Sequence, residues 1–228
     1  MEFTKLSNRL DLVASFVPAG ARLLDVGSDH AYLPIALLQE GKIEAAIAGE
    51  VVEGPYQSAL QNVADNGLED KIEVRLANGL AAFEPTDGIS CITIAGMGGR
   101  LIADILAAGL EKLASVSRLV LQPNNREDEL RAWLVDNDFR IVDEAILEEN
   151  EKFYEILVVE QGSQELTAKE LRFGPYLMQE QAPAFVQKWS KEVEKLAFAL
   201  EQVPVENQSA RASLEERITH IKEVLHVS

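Results

Sequence analysis

The residues of this chain best suited to chemistry are Asp25, Gly27, Ser28, Asp29 and His30, in the segment Asp25-Val26-Gly27-Ser28-Asp29-His30. They end the apolar run Leu23-Leu24-Asp25-Val26 and precede an Ala/Leu-rich stretch, Ala31-Tyr32-Leu33-Pro34-Ile35-Ala36. A buried parallel strand hands over to a helix in this way. At the carboxyl end of such a strand, Gly27 lets a ligand come close to the backbone. A turn with one glycine is a weak signal, since any strand-to-helix turn reads alike. Glu50 strengthens it. It closes the next apolar run, Ala45 to Glu50, at the separation of about 20 to 25 positions where a carboxylate accepts hydrogen bonds from ribose hydroxyls.

Three further turns could contribute. Asn78-Gly79 follows a predicted strand, Ile72–Leu76, and could face an adenine edge, although a plain turn explains it too. Gly96-Met97-Gly98-Gly99-Arg100 follows a predicted strand, Ile89 to Ala95, and three glycines there expose backbone N–H groups to an anion or a close ligand. Gln122-Pro123-Asn124-Asn125-Arg126 follows Leu119-Val120-Leu121, and the carboxylates of Glu127, Asp128 and Glu129 suit the positive end of the next helix better than catalysis. Lys5 and Arg9, one helical turn apart, could touch phosphate or belong to a solvated face. Cys91, His30, His220 and His226 have no metal-ligand spacing, so no metal is expected, and Cys91 reads as a small buried hydrophobe on a strand.

Composition bounds the elements that must position these groups. A chain of 228 residues, 47% of them hydrophobic, holds one α/β domain of roughly 150 residues and a smaller appendage. The first residues lack a basic region followed by an apolar one, and no run approaches the ~20 apolar residues of a membrane span, so a cytoplasmic location is expected. The net charge of -17 argues against non-specific nucleic-acid binding. That charge is uneven: residues 1–160 carry a net -15 and residues 161–228 only -2. A local basic patch would have to carry any RNA contact.

The periodicity predicts a helix from Thr4 to Phe16, then five strand–helix units ending at the five turns described above. Ile141 to Leu147 and Tyr154 to Glu160 follow as two strands around a charged turn, Glu148 to Lys152, with no helical period between them. They form an antiparallel hairpin closing the sheet. From Gly162 the pattern becomes helical. Phe185, Trp189, Val193, Leu196 and Leu200 form one stripe and Leu214, Ile218, Ile221 and Leu225 another, with Pro204 between, which predicts an αα-hairpin with coiled-coil-like packing. The expected division is a ligand-binding domain at 1–161 and a helical arm at 162–228, serving as a cap, a dimerisation element or a substrate-docking arm.

Five parallel units followed by a reversed last strand resemble class I S-adenosylmethionine-dependent methyltransferases, a Rossmann-like α/β fold, rather than a nicotinamide-binding domain. Leu24 to Pro34, Ile94 to Gly99, Leu121 to Asn124, and Leu171-Arg172-Phe173-Gly174-Pro175 with Lys188-Trp189 together resemble one bacterial family. It is the tRNA (adenine-N1)-methyltransferase family that modifies adenine 22 in the D-arm region. The resemblance spans essentially the whole chain. Unlike methyltransferases at large, the first turn lacks a second and third glycine. The Asp/Asn-Pro-Pro-aromatic signature of amino-group methylation is replaced by Gly96-Met97-Gly98-Gly99, which fits a ring nitrogen target.

The resemblance implies S-adenosyl-L-methionine as cofactor and tRNA as partner. Asp25 and Gly27 are expected near the methionine part, Glu50 on the ribose, Asn78 and Gly79 by the adenine, with Ser28, His30, Val51, Ala95, Gly96 and Met97 as further cofactor contacts. Expected catalytic residues are Asp29, stabilising the cationic product ring, Tyr32, holding the base together with Met97, and Asn124, orienting its edge; a helix N-cap is the competing role for Asp29. Lys5, Arg9, Arg100, Arg126 and Lys152 are the expected RNA contacts of a protein acting as a monomer. Two other classes stay open: a module that binds S-adenosylmethionine and RNA without catalysis, and a Rossmann-type oxidoreductase.

Overall fold

The computed structural model describes residues 4–225; residues 1–3 and 226–228, His226 among them, lie outside that range. Seven strands form one sheet: β1 (Ala21–Val26), β2 (Ile43–Glu50), β3 (Ile72–Leu76), β4 (Cys91–Met97), β5 (Arg118–Pro123), β6 (Phe139–Glu149) and β7 (Lys152–Gln161). Their order is β3-β2-β1-β4-β5-β7-β6. The first five are parallel, and β7 runs antiparallel between β5 and β6. This is the reversed strand expected from the sequence. From β1 the chain runs outward to β3 and returns to β4, so the strand order switches at the carboxyl ends of β1 and β4, where open sheets bind ligands.

Alternation along the strands divides the core between the two faces. Leu24, Val26, Ile92 and Ile94 face α4 (Gly99–Ala108) and α5 (Glu127–Asp136). Leu23, Ala46, Ala48 and Cys91 face α1 (Asn8–Phe16), α2 (Tyr32–Gln39) and α3 (Glu53–Asp65). Cys91 is fully enclosed, and burial pushes its thiol up to about 12, so it behaves as a small apolar side chain.

Several boundaries differ from expectation for local reasons. Helix α1 starts at Asn8 rather than Thr4, because the Ser7 hydroxyl accepts the Leu10 N–H at 3.2 Å while the Thr4 N–H donates to Gln39 Oε1 at 2.7 Å. Strand β4 runs to Met97 rather than Ala95, carried past Gly96 by a bulge that skips one register position against β5. The hairpin turn is only two residues, Asn150 and Glu151, both left-handed with φ of 53° and 64°. Such a turn matches the strand twist and lets β6 and β7 continue to its edge.

The C-terminal part comprises α6 (Ala168–Phe173), α7 (Pro175–Glu180), α8 (Pro183–Gln202) and α9 (Gln208–Val224). Arg211 Nη1 on α9 donates to Leu200 O and Val203 O, both at 3.0 Å, and Arg217 Nη2 donates to Glu192 Oε1 at 3.3 Å, so α9 folds back along α8. Phe173, Leu177, Phe185, Trp189, Leu196, Ile221 and Val224 form a core of their own, touching Ile146 of β6. A buried ion cluster joins this core to the sheet. Arg131 on α5 donates through Nε to Glu144 Oε1 at 2.7 Å, through Nη2 to Glu155 Oε2 at 2.5 Å and through Nη1 to Leu171 O at 3.2 Å. Lys188 of α8 completes it, donating to Glu155 Oε1 at 2.7 Å and Glu127 Oε1 at 3.1 Å. Burial works against an ionised Glu155, but Arg131 and Lys188 outweigh it and hold its carboxyl below the ordinary range; for Glu144, with one cation, burial prevails.

One surface pair sets an acid limit. Arg75 Nη1 donates to Asp87 Oδ2 at 2.6 Å and holds that carboxyl at about 2, against an ordinary 3.8. The stability it contributes is complete above the ordinary value and disappears as the pH falls toward the lowered one. Asp87→Asn is expected to flatten the acid arm of a melting-temperature profile between pH 3.8 and about 2; an unchanged profile would mean that solvent screens the pair.

Candidate active site

Gly27 follows β1 with φ of +66°, and a Cβ there would collide with Met97 Cε. The positive φ is what calls for glycine, and the flexible Met97 side chain packs where a Cβ would stand. Asp29, His30 and Ala31 continue in the left-handed region, with φ of 44°, 73° and 60°. Three such non-glycine residues in succession cost of order 1–3 kcal/mol each, and strain of this kind collects at functional turns. Asn62 Nδ2 donates to His30 O at 3.0 Å and the Ile35 N–H to Ala31 O at 3.1 Å, which holds the turn. Helix α2 starts at Tyr32 with Ala31 in the N-cap position and no side-chain cap, so Asp29 does not cap it. The Asp29 carboxylate is 84% exposed.

Two acids behind the turn are buried. Asp25 accepts from Ser28 Oγ at 2.5 Å and from Thr93 Oγ1 at 2.6 Å, and burial raises its pKa against both bonds. Glu50 is 5% exposed, and its Oε1 has no hydrogen-bond partner among the described residues. Burial raises its pKa; the Asp29 N–H opposes this, and the charges of Asp25 and Asp29 add to it. A buried carboxylate oxygen without a donor, at the end of β2, is a costly arrangement that an incoming hydroxyl relieves.

The space in front of these groups is a cavity of about 260 Å³ lined by Arg9, Leu10, Asp25, Gly27, Ser28, Asp29, Tyr32, Leu33, Ala95, Gly96 and Met97. Arg9 turns inward: its Nη1 donates to Gln122 Oε1 at 2.6 Å and its guanidinium stands 5.6 Å over the Tyr154 ring. Gln122 is fully buried at the end of β5 and also accepts the Gly96 N–H at 3.0 Å. Its Nε2 donates to Pro123 O at 2.8 Å and Asn124 Oδ1 at 3.1 Å, and Asn124 Nδ2 donates to Gly96 O at 2.7 Å. The exposed Asn124 amide is thus fixed against Gly96 of the cavity wall.

The sequence model of one family, tRNA (adenine(22)-N(1))-methyltransferase, matches residues 23–223. The tRNA (adenine(22)-N(1))-methyltransferase of Bacillus subtilis (strain 168) is 39% identical over 99% of each chain. This chain belongs to that family. Solved structures agree. Crystalline B. subtilis TrmK, an m1A22 tRNA methyltransferase, superposes with a TM-score of 0.86 at 39% identity, covering 97% of this chain and 99% of that one. Streptococcus pneumoniae Sp1610 in complex with S-adenosyl-L-methionine superposes with a TM-score of 0.91 at 66% identity, covering 97% of this chain and 100% of that one. Membership in the adenine-22 methyltransferase family carries the activity, S-adenosylmethionine-dependent methylation of tRNA at N1 of adenine 22.

The residues of this family member fit the cofactor. The partnerless Glu50 Oε1 suits ribose hydroxyls, and the Gly27 turn admits a close ligand. Val51 and Asn78 are exposed, and a cavity of about 360 Å³ opens between Asn78–Ala81 and Leu101, Asp104, Ile105 and Ala108. His30 stands 5.5 Å from the Tyr32 ring.

Other expected residues are placed differently. The glycines at the end of β4 and just beyond it do not present three free N–H groups: that of Gly96 goes to Gln122, and that of Gly99 to Asn125 O at 2.9 Å. Gly99 is glycine because a Cβ would lie 2.5 Å from Arg126 O. Among the expected RNA contacts, Lys5, Arg100 and Lys152 are exposed, Arg126 is paired with Glu129 at 2.8 Å, and Arg9 belongs to the cavity. Sequence reasoning missed Thr93 and Gln122. Gln122 carried a readable signal, since like Glu50 it is a polar residue closing an apolar strand run. No described helix is long and apolar enough to cross a membrane, and no three potential metal ligands cluster among the described residues.

Proposed function

We propose that the carboxyl ends of β1, β2 and β3 hold the cofactor, with Asp25, Gly27, Ser28 and His30 at its methionine part, Glu50 and Val51 at the ribose, and Asn78 and Gly79 at the adenine. The partnerless buried Glu50 oxygen carries this reading. Bound S-adenosylmethionine supplies an electrophilic sulfonium methyl, which N1 of an unpaired adenine takes on its own lone pair, leaving a cationic ring and S-adenosylhomocysteine. No general base is needed, so the chain's task is alignment. Tyr32 and Met97 hold the extruded base, and Ala95, Gly96 and Met97 border the cofactor. Asn124, pinned by Gln122 and Gly96, orients the base edge. Asp29 stabilises the positive charge that develops on the ring, a task its exposed carboxylate performs best once RNA excludes water from it.

Residues 1–161 are the catalytic domain and residues 162–228 an arm that docks tRNA, in a protein acting as a cytoplasmic monomer. Lys5, Arg100, Arg126 and Lys152 meet phosphates, and Arg9 supports the base pocket.

Incubation with labelled S-adenosylmethionine and unmodified tRNA transcript, then nucleoside digestion and mass analysis, tests the reading. It is expected to give 1-methyladenosine, and none when adenine 22 is replaced. Asp29→Asn is expected to lower kcat roughly tenfold to hundredfold, the worth of about 1.4–2.7 kcal/mol of transition-state stabilisation, with cofactor affinity unchanged. An unaltered kcat would remove Asp29 from the mechanism. Cofactor binding without methyl transfer would favour the silent module.

A further inference from the structure

A larger cleft, of about 840 Å³, opens beside the reaction cavity between the β6–β7 hairpin and α8. Its basic wall comprises Lys152 of β7, Arg172 of α6, and Lys188, Lys191 and Lys195 of α8. Lys152, Arg172 and Lys191 make no ion pair among the described residues, whereas Lys188 is neutralised by Glu127 and Glu155. Lys195 pairs with Glu192 at 3.6 Å, so the three unpaired cations Lys152, Arg172 and Lys191 against the one unpaired carboxylate of Asp128 leave this wall positive on a chain of net charge -17. Aromatic rings lie directly beneath the cations: Lys191 Nζ stands 5.0 Å over Phe153, and the Arg172 guanidinium 5.4 Å over Trp189. Trp189 Nε1 is buried with no hydrogen-bond partner among the described residues. A partnerless donor within a cationic wall favours an acceptor-rich, anionic ligand.

Cations interleaved with aromatic faces are the chemistry that holds single-stranded nucleic acid, through phosphate pairing and base stacking. The cleft meets the reaction site at Asn124, which lies on its rim, and at Tyr154, whose ring lies under Arg9. N1 of a paired adenine is blocked, so the stem must open, and the opened strand needs a path away from the site. We propose that this cleft binds the opened RNA strand flanking the target adenine, its phosphates on Lys152, Arg172 and Lys191 and one base against Phe153. The inference rests on the tRNA methyltransferase reading above and adds the place where the substrate strand runs.

The test is the affinity of the full chain for unmodified tRNA transcript at several salt concentrations. Lys152→Glu/Lys191→Glu is expected to weaken binding at least tenfold and to flatten the slope of log K against log salt by about 0.7–0.9 for each phosphate left without its cation. S-adenosylmethionine affinity is expected to stay unchanged, which also reports a folded protein. Lys71→Glu, at the opposite end of the sheet, is expected to change affinity less than twofold. A second readout uses Trp133→Phe, which leaves Trp189 as the sole tryptophan, whose emission tRNA is expected to alter. Unchanged tRNA affinity and salt slope in the double variant, in a chain that still methylates tRNA, would overturn the cleft assignment alone. Loss of tRNA binding in the double variant would support the cleft even if the unaltered chain transferred no methyl group, which would overturn only the activity.

Discussion

Arg131→Met is expected to lower the free energy of unfolding by about 3–5 kcal/mol, the cost of leaving buried carboxylates without their cation. Arg131, Glu144 and Glu155 are at most 2% exposed. Removing the guanidinium strands Glu144 with no cation and leaves Glu155 dependent on Lys188. For a chain of this length the destabilisation corresponds to a melting temperature lower by roughly 6–20 °C. Replacing all three by apolar residues is expected to recover only part of it, because Glu144 Oε2 also accepts the N–H groups of Tyr176 and Leu177 at 3.0 and 3.4 Å. Urea denaturation measures both variants. A drop below about 1 kcal/mol for Arg131→Met would mean that water reaches the cluster. Hydrogen exchange is expected to show α6 loosening first in Arg131→Met, since Leu171 O loses its anchor, and α7 as well in the triple replacement, which also removes the Glu144 acceptor.

Glu50→Ala is expected to weaken S-adenosylmethionine binding by about 3 kcal/mol, on the order of a hundredfold, the worth of hydrogen bonds to a charged acceptor. Glu50→Gln, which keeps one acceptor and loses the charge, is expected to fall between. Without cofactor, the same Gln variant is expected to be more stable than the unaltered chain, since Glu50 is a buried anion facing Asp25 and Asp29 with one oxygen unpaired. The pH dependence follows from the raised pKa. The folded state holds this proton more tightly than the unfolded one, so the Glu50 contribution to apo stability grows as pH falls and is lost as pH rises through the raised value. Cofactor affinity moves oppositely and weakens as Glu50 protonates. Isothermal titration calorimetry and thermal melts across mildly acidic pH measure both. Equal cofactor affinity for Glu50→Ala and the unaltered chain would place the ribose elsewhere.

The amino-acid sequence by itself determined the order and kind of the elements, because each is encoded within a dozen residues. Apolar runs closed by Gly27, Glu50 and Asn78 marked three strand ends on the ligand side of the sheet. The missing helical period between Ile141 and Glu160 marked the antiparallel hairpin, and two apolar stripes marked α8 and α9. Tertiary structure decided what depends on groups far apart in the chain. Arg9, 113 positions before Gln122, meets it because α1 crosses the ends of β4 and β5. Arg131 sits in an ordinary amphipathic helix and looks solvated until Glu144, Glu155 and Leu171 enclose it. Phe153, Arg172 and Lys191 come from a strand, a short helix and a long helix, and form one wall only after the C-terminal part docks against the sheet. Periodicity and turn chemistry act between neighbours along the chain, whereas burial, ion pairing and cavity shape depend on distances that only the folded chain sets.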